Sequence, residues 1–167
     1  MKLKLSKRLE LIVKMCDYCD TIIDVGTDHG KVPITIANLG LAKNVIAIDN
    51  KKGPLKTCAE NAYLHLKNED VSFTTLLSDG LTKVDKSIEC AIIITGMGYD
   101  NMCEILNDIN ERNFKYLILS PHSKIDKFKE FLSDKNLSII EENSIFEDKK
   151  NYSIMKVVKS IWGGFWK

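Results

Sequence analysis

The chain has 167 residues, 44% of them hydrophobic and 28% charged, and its 24 basic and 23 acidic side chains leave a formal charge of +1. That length suits one domain with a buried core and excludes most two-domain enzymes. The balanced charge provides no overall positive field of the kind that announces a nucleic-acid partner. Only Arg8 and Arg112 of the basic residues are arginines, so anion binding must rest mainly on lysine, a point charge rather than a fork. No apolar run approaches the roughly 20 residues that cross a bilayer. The start, MKLKLSKRLE, has no secretory apolar stretch. A cytoplasmic protein with no membrane contact is expected. The odd set of Cys16, Cys19, Cys58, Cys90 and Cys103 suits a reducing compartment. Cys16 and Cys19 have CxxC spacing, but no second ligand pair exists for zinc, so a structural role and no metal are expected.

In chain order, Leu5, Leu9, Ile12 and Val13 share one face of an N-terminal helix with Ser6 as a plausible N-cap. Apolar runs at Thr21–Val25, Val45–Asp49, Val71–Leu77, Ala91–Thr95 and Tyr116–Ser120 read as buried parallel strands. Helical patterns at 31–40, 54–67, 100–112 and 123–135 lie between them. Residues 137–147 and 152–159 read as an antiparallel hairpin joined through Asp148-Lys149-Lys150-Asn151. The expected fold is α/β: a Rossmann-like, mostly parallel sheet with helices on both faces, preceded by a helix and closed by the hairpin. Five parallel strands and a terminal hairpin make up the strand inventory of class I methyltransferases, whereas ordinary dinucleotide dehydrogenases lack the hairpin. Residues 1–160 are expected to form this domain and 161–167 a short aromatic tail.

Ligands of such sheets bind beyond the carboxyl ends of the strands, where strand order reverses. The first end reads Asp24-Val25-Gly26-Thr27-Asp28-His29-Gly30, with Gly26 allowing a tight turn and Gly30 opening the next helix. Asp28 stands where a dinucleotide loop has its second glycine. A carboxylate there repels pyrophosphate but tolerates a cationic sulfonium, which favours S-adenosylmethionine over NAD. Asp49, 25 residues after Asp24, is placed to accept ribose hydroxyls, with Asn50 beside it. Ser78-Asp79-Gly80 ends the third strand, and Asp79 is expected to face the adenine amine. Turn preference is the competing account of these aspartates. The fourth end, Thr95-Gly96-Met97-Gly98-Tyr99, lacks the Asn/Asp-Pro-Pro-aromatic run common in methylation of exocyclic amines. A ring nitrogen already carries a lone pair and needs positioning more than a base.

Leu5-Ser6-x-Arg8-Leu9, Asp24-x-Gly26-x-Asp28-His29, Gly53-Pro54, Ser78-Asp79-Gly80-Leu81 and Gly96-Met97-Gly98 follow one another in an order and spacing that resemble the bacterial tRNA (adenine(22)-N1)-methyltransferase family. The resemblance covers roughly residues 5–160. It implies S-adenosylmethionine as donor, tRNA as partner and adenine N1 as acceptor. Donor contacts are expected at Asp24, Gly26, Gly30, Asp49, Asn50, Ser78, Asp79, Gly80, Gly96 and Met97. The chain departs from the family in having Thr95 and Tyr99 around the Gly-Met-Gly centre, Ser120-Pro121-His122 in place of Gln-Pro-Asn, and Lys31 at a commonly aromatic position. The family's usual helical second domain is expected to be missing here, which leaves room for a helper subunit or oligomer. A methyltransferase for another RNA or a small molecule, or an inactive donor-binding module, remains the alternative.

Asp28, His29, Tyr99 and His122 are the candidate catalytic residues. Against this, Asp28 has a helix-capping reading, His29 a local hydrogen-bonding one, and Tyr99 a packing one. Ser6, Lys7 and Arg8, in a segment 1–14 with five basic residues and one acidic, are candidate RNA-phosphate contacts or an ordinary solvated face. Gly98 and Pro121 are expected to frame the acceptor base. The tail Ile161-Trp162-Gly163-Gly164-Phe165-Trp166-Lys167 reads as an edge-packing or remnant segment, with base stacking the other reading.

Overall fold

The computed structural model describes residues 3–161; the tryptophans of the tail lie outside them. Seven strands form one sheet: β1 (Thr21–Val25), β2 (Asn44–Asp49), β3 (Ser72–Leu77), β4 (Cys90–Met97), β5 (Phe114–Pro121), β6 (Leu137–Glu147) and β7 (Lys150–Lys159). Their order is β3-β2-β1-β4-β5-β7-β6, parallel through β5, with β7 antiparallel to both β5 and β6. β1 pairs with β2 on one side and β4 on the other, so the strand order reverses there.

The period-two alternation of the apolar runs divides the core in two. Ile23, Val25, Ile92 and Ile94 face one layer with Met102 of α4 (Tyr99–Ile105), Leu106 at its C-cap, and Phe128 and Leu132 of α5 (Ile125–Asp134). Ile22, Ala91 and Ile93 face the other with Ile12 and Val13 of α1 (Lys7–Lys14) and Val32 and Ile36 of α2 (Lys31–Asn38). With both faces covered, the strands read as continuous isoleucine-rich runs. α3 (Lys52–His65) lies against β2 and β3.

The Ser6 Oγ accepts from the Leu9 N–H at 3.4 Å, as an N-cap should. The expected helix over 100–112 instead ends at Ile105, and a 3-10 turn follows at Ile109–Glu111. The Arg112 side chain breaks the pattern because it turns inward, donating to the Val84 carbonyl at 3.0 Å and the Leu81 carbonyl at 2.9 Å. The hairpin is tighter than the sequence suggests. Glu147 pairs with Lys150 across Asp148 and Lys149, whose φ values of 49° and 61° fit a two-residue turn of matching twist.

The CxxC pair is structural. Cys16 and Cys19 are buried, and burial pushes the Cys16 thiol up to about 12, so it carries no thiolate at neutral pH. Among the described residues no cluster of three or more His, Cys, Asp or Glu could hold a metal. No helix among them is long and apolar enough to cross a membrane.

Candidate active site

Two adjoining clefts open at the carboxyl ends of the parallel strands. The first, about 380 Å³, is lined by Gly26, Asp28, Asp49, Asn50, Ser78, Gly80, Gly96 and Met97, with Asn101, Glu104 and Ile105 as a far wall. The second, about 410 Å³, is lined by Arg8, Asp24, Thr27, Asp28, His29, Lys31, Gly96 and His122. Gly26, Asp28, Thr95 and Gly96 border both, so the two form one continuous trough. Each volume lies in the usual range for small-molecule sites.

Asp49 ends β2 and is 9% exposed. Its Oδ2 accepts the Asp28 N–H at 3.2 Å and its Oδ1 the Lys51 N–H at 3.0 Å, which fixes both loops and leaves further lone pairs toward the cleft. Gly26 has φ +76°, and a Cβ there would stand 2.3 Å from the Met97 Cε, so bare backbone is what lets Met97 border the cleft.

Asp24 lies beneath the loop, 4% exposed. Burial first, and then the nearby Asp49 charge, push its carboxyl up to about 7, against a Thr27 hydroxyl that makes no hydrogen bond of sound geometry. The native state therefore holds a proton that the unfolded chain has lost between about pH 4 and pH 7. Stability falls as pH rises through that window, by at most about 1.4 kcal/mol per unit. Asp24→Asn is expected to flatten this decline, read as melting temperature against pH.

The polar atoms of the second cleft are unusual. Four buried side-chain nitrogen or oxygen atoms lack a hydrogen-bond partner among the described residues: Arg8 Nε and Nη1, Thr27 Oγ1 and His122 Nε2. All belong to residues lining that cleft. Buried polar atoms without partners are costly, and their gathering marks a place for a polar ligand. Arg8 is held from behind: its guanidinium lies 4.7 Å from the Tyr152 ring centroid, and Glu147 approaches its Nε at 3.6 Å, an ion pair too long for a hydrogen bond. Glu147 also accepts from the Ser6 hydroxyl at 3.1 Å and the Arg8 N–H at 3.2 Å.

Several expected contacts fall elsewhere. Asp79 is exposed and borders a separate groove with Leu81, Thr82 and Arg112, because the Ser78 hydroxyl bonds the Gly80 carbonyl and turns Ser78 and Gly80, not Asp79, toward the cleft. Gly30 lines neither cleft. Its φ is +75° and an added Cβ would meet the Cys58 Sγ at 2.5 Å, so this glycine serves the packing of α2 on α3. Gly30→Ala is accordingly expected to lower the melting temperature by about 4–8 °C in a thermal scan, for roughly 2 kcal/mol of strain. Tyr99, a catalytic candidate with a packing reading beside it, packs edge-on against Phe128 at 6.5 Å and beneath Lys124 at 5.2 Å, and it lines neither cleft. Gly98 caps α4, and buried Pro121 ends β5, where it positions His122 without lining a cleft. Ser6 is engaged by Glu147, Lys7 is exposed, and Arg8 lies in the cleft rather than on an outer RNA-facing surface. Asp28 and His29 are exposed at the mouth, 3.6 Å apart. Asn101, Glu104 and Ile105 were not anticipated, although their i, i+3, i+4 spacing on α4 is the signal of one helix face.

A methyltransferase domain model matches residues 5–155. The chain belongs to the methyltransferase-domain family. Among its relatives, a Bacillus subtilis (strain 168) tRNA (adenine(22)-N(1))-methyltransferase is 28% identical over 156 residues, 92% of this chain and 65% of that protein. Of the solved methyltransferase-domain structures, Sp1610 of Streptococcus pneumoniae in complex with S-adenosyl-L-methionine matches with a TM-score of 0.82 and 29% identity, over 94% of this chain and 74% of the other. M. capricolum TrmK in complex with S-adenosyl-homocysteine matches at 0.81 and 26%, over 93% and 69%. The resemblance to the tRNA (adenine(22)-N1)-methyltransferases read from the motifs is borne out by these matches. The chain spans about two thirds of the length of the curated relative.

Proposed function

We propose that this protein is an S-adenosylmethionine-dependent methyltransferase that methylates N1 of the adenine at position 22 of tRNA. The observation that carries the reading is the charge pattern of the trough. A buried carboxylate, Asp24, and a guanidinium with Nη1 unpartnered among the described residues, Arg8, line one cleft, which runs into the cleft of Asp49. That is the complement of an amino-acid zwitterion joined to a nucleoside. NAD would bring a pyrophosphate past Asp28 instead.

The residues fit the donor on their own chemistry. Asp49 would accept the ribose hydroxyls with its remaining lone pairs, while Asn50, Ser78, Gly80 and the Asn101–Ile105 wall enclose the adenine. Arg8 would take the α-carboxylate through Nη1, while Glu147 faces its Nε from behind. Asp24 would take the α-ammonium, which compensates the burial of its charge. When bound, the donor supplies an electrophilic methyl group on a sulfonium. Gly26 and Gly96 leave bare backbone along the line joining the two clefts.

The acceptor would enter over His29, Lys31 and His122 at the mouth of the second cleft. An adenine must leave its stack to reach that depth. Its N1 carries a free lone pair, so these residues need to orient it and exclude water rather than remove a proton. The Asp28 carboxylate, bordering both clefts, favours the positive charge that passes to the ring. Phosphate contacts fall to Lys31 and Lys51 at the clefts and Lys149 at the hairpin turn. Incubation with labelled donor and tRNA, followed by nucleoside mass spectrometry, tests the reading. We expect 1-methyladenosine in tRNA with adenine at position 22 and none when that base is replaced; no methylation of either overturns it.

A further inference from the structure

Resting on the methyltransferase reading above, the geometry points to His122 as the residue that recognises the acceptor adenine, its Nε2 accepting a hydrogen bond from the exocyclic N6 amine. The Nε2 atom is buried and without a partner among the described residues. It lies 3.7 Å from where a Cβ on Gly96 would stand, against the bare backbone shared by both clefts. A planar base that brings N1 to the junction of the clefts carries its N6 amine on the adjoining edge.

The imidazole is held in place from several sides. The His122 N–H donates to the Met97 carbonyl at 2.8 Å, and its own carbonyl accepts from Lys150 Nζ at 2.9 Å. The ring meets Tyr152 edge-on, centroids 5.8 Å apart. Tyr152 also carries the Arg8 guanidinium at 4.7 Å and the Lys150 ammonium at 5.3 Å, so it gathers two cations around the histidine.

Those cations decide which way the hydrogen bond runs. Burial first, then Lys150 and Arg8, hold His122 below the ordinary histidine value, so near pH 7 the ring is neutral and has a lone pair to offer. The other ionisable groups of the cleft, Asp24, Asp28, His29 and Lys31, come from the β1 end and the start of α2. With Nδ1 protonated, Nε2 is the acceptor.

This arrangement stabilises the transition state more than the ground state. As the N1–CH3 bond forms, the S–CH3 bond breaks and its electron pair stays on sulfur. The adenine gains one positive charge, part of it on N6, and the N6–H to Nε2 hydrogen bond strengthens while the proton stays on N6. Guanine would present its O6 lone pairs to the Nε2 lone pair, which rejects it.

The test compares wild type, His122→Leu and His122→Asn, each with donor affinity measured by calorimetry. We expect the leucine variant to lose about 30-fold or more in kcat/KM on tRNA with donor Kd unchanged, and asparagine, whose carbonyl also accepts, to recover most of the loss. Measured at saturating donor, where the ammonium holds Asp24 ionised, the wild-type kcat/KM for tRNA should fall on the acid side with an apparent pKa below the ordinary histidine value, a limb absent in the asparagine variant. A leucine variant within twofold of wild type, a fall in donor affinity that accounts for its loss, or an acid limb surviving in the asparagine variant overturns the assignment. Should wild type fail to methylate tRNA, the function reading fails separately. Nitrogen NMR of His122 during adenosine titration of the S-adenosylhomocysteine-loaded protein then decides the inference: a shift confined to Nε2 supports it, and no shift overturns it.

Discussion

Replacing Asp49 with alanine is expected to weaken donor binding about 100-fold, measured by calorimetric titration. The charged acceptor toward the ribose hydroxyls is lost, and hydrogen bonds to a charged group contribute roughly 1.5–3 kcal/mol each. The same substitution frees the Asp28 and Lys51 N–H groups that the carboxylate now holds at 3.2 Å and 3.0 Å. Both loops border the trough, so part of the loss comes from their loosening. Asp49→Asn separates the contributions: its amide oxygen keeps one backbone bond, and its donor affinity should fall between the other two. An alanine variant that binds the donor like wild type would remove the nucleoside assignment of the first cleft.

Arg112→Met is expected to have the largest effect on stability. Arg112 is 5% exposed and donates to two buried carbonyls, with Asp108 at 3.4 Å and Lys86 joining Asp108 at 3.0 Å. Methionine fills the stem but leaves the Val84 carbonyl unpaired and the Leu81 carbonyl with only the Val84 N–H. Losing two charge-assisted hydrogen bonds at roughly 1.5–3 kcal/mol each costs about 3–5 kcal/mol, or roughly 6–20 °C in the melting temperature. The two carbonyls belong to the loop that follows Ser78 and Gly80. A severalfold loss of donor affinity should therefore accompany the fall in melting temperature, whereas Asp49→Ala should lose affinity with much less change in stability. Thermal scans and titrations on both variants give the comparison.

The sheet was legible because its strands are buried on both faces. Isoleucine-rich runs such as Ala91–Thr95 bear one reading, and the observed β4 only extends that run at its ends. The place of Asp49 at the cleft was legible for a related reason: a strand end at the point of order reversal borders the opening whatever the loop does. The misplaced residues are those whose direction depends on a distant partner or a local turn. Asp79 sits within two residues of a strand end, yet one hydroxyl-to-carbonyl bond turns it away. Gly30 resembles a ligand-approach glycine until Cys58, from another helix, occupies the space above it. Arg8 appeared as part of a basic segment, and nothing nearby in sequence announces that Glu147, 139 residues on, anchors its backbone.

That long separation has a consequence for the order in which the protein can become competent. Arg8 belongs to the first helix, while the groups that steady it, Glu147 and Tyr152, belong to the last two strands. During synthesis, β1 to β5 and their helices can form a sheet before the final hairpin has left the ribosome. Until then the β5 edge is unpaired and the guanidinium has neither its ring nor its carboxylate. The walls of the first cleft are thus complete before Arg8 of the second is steadied. A grip on a ligand spanning both clefts therefore comes only after the hairpin has formed.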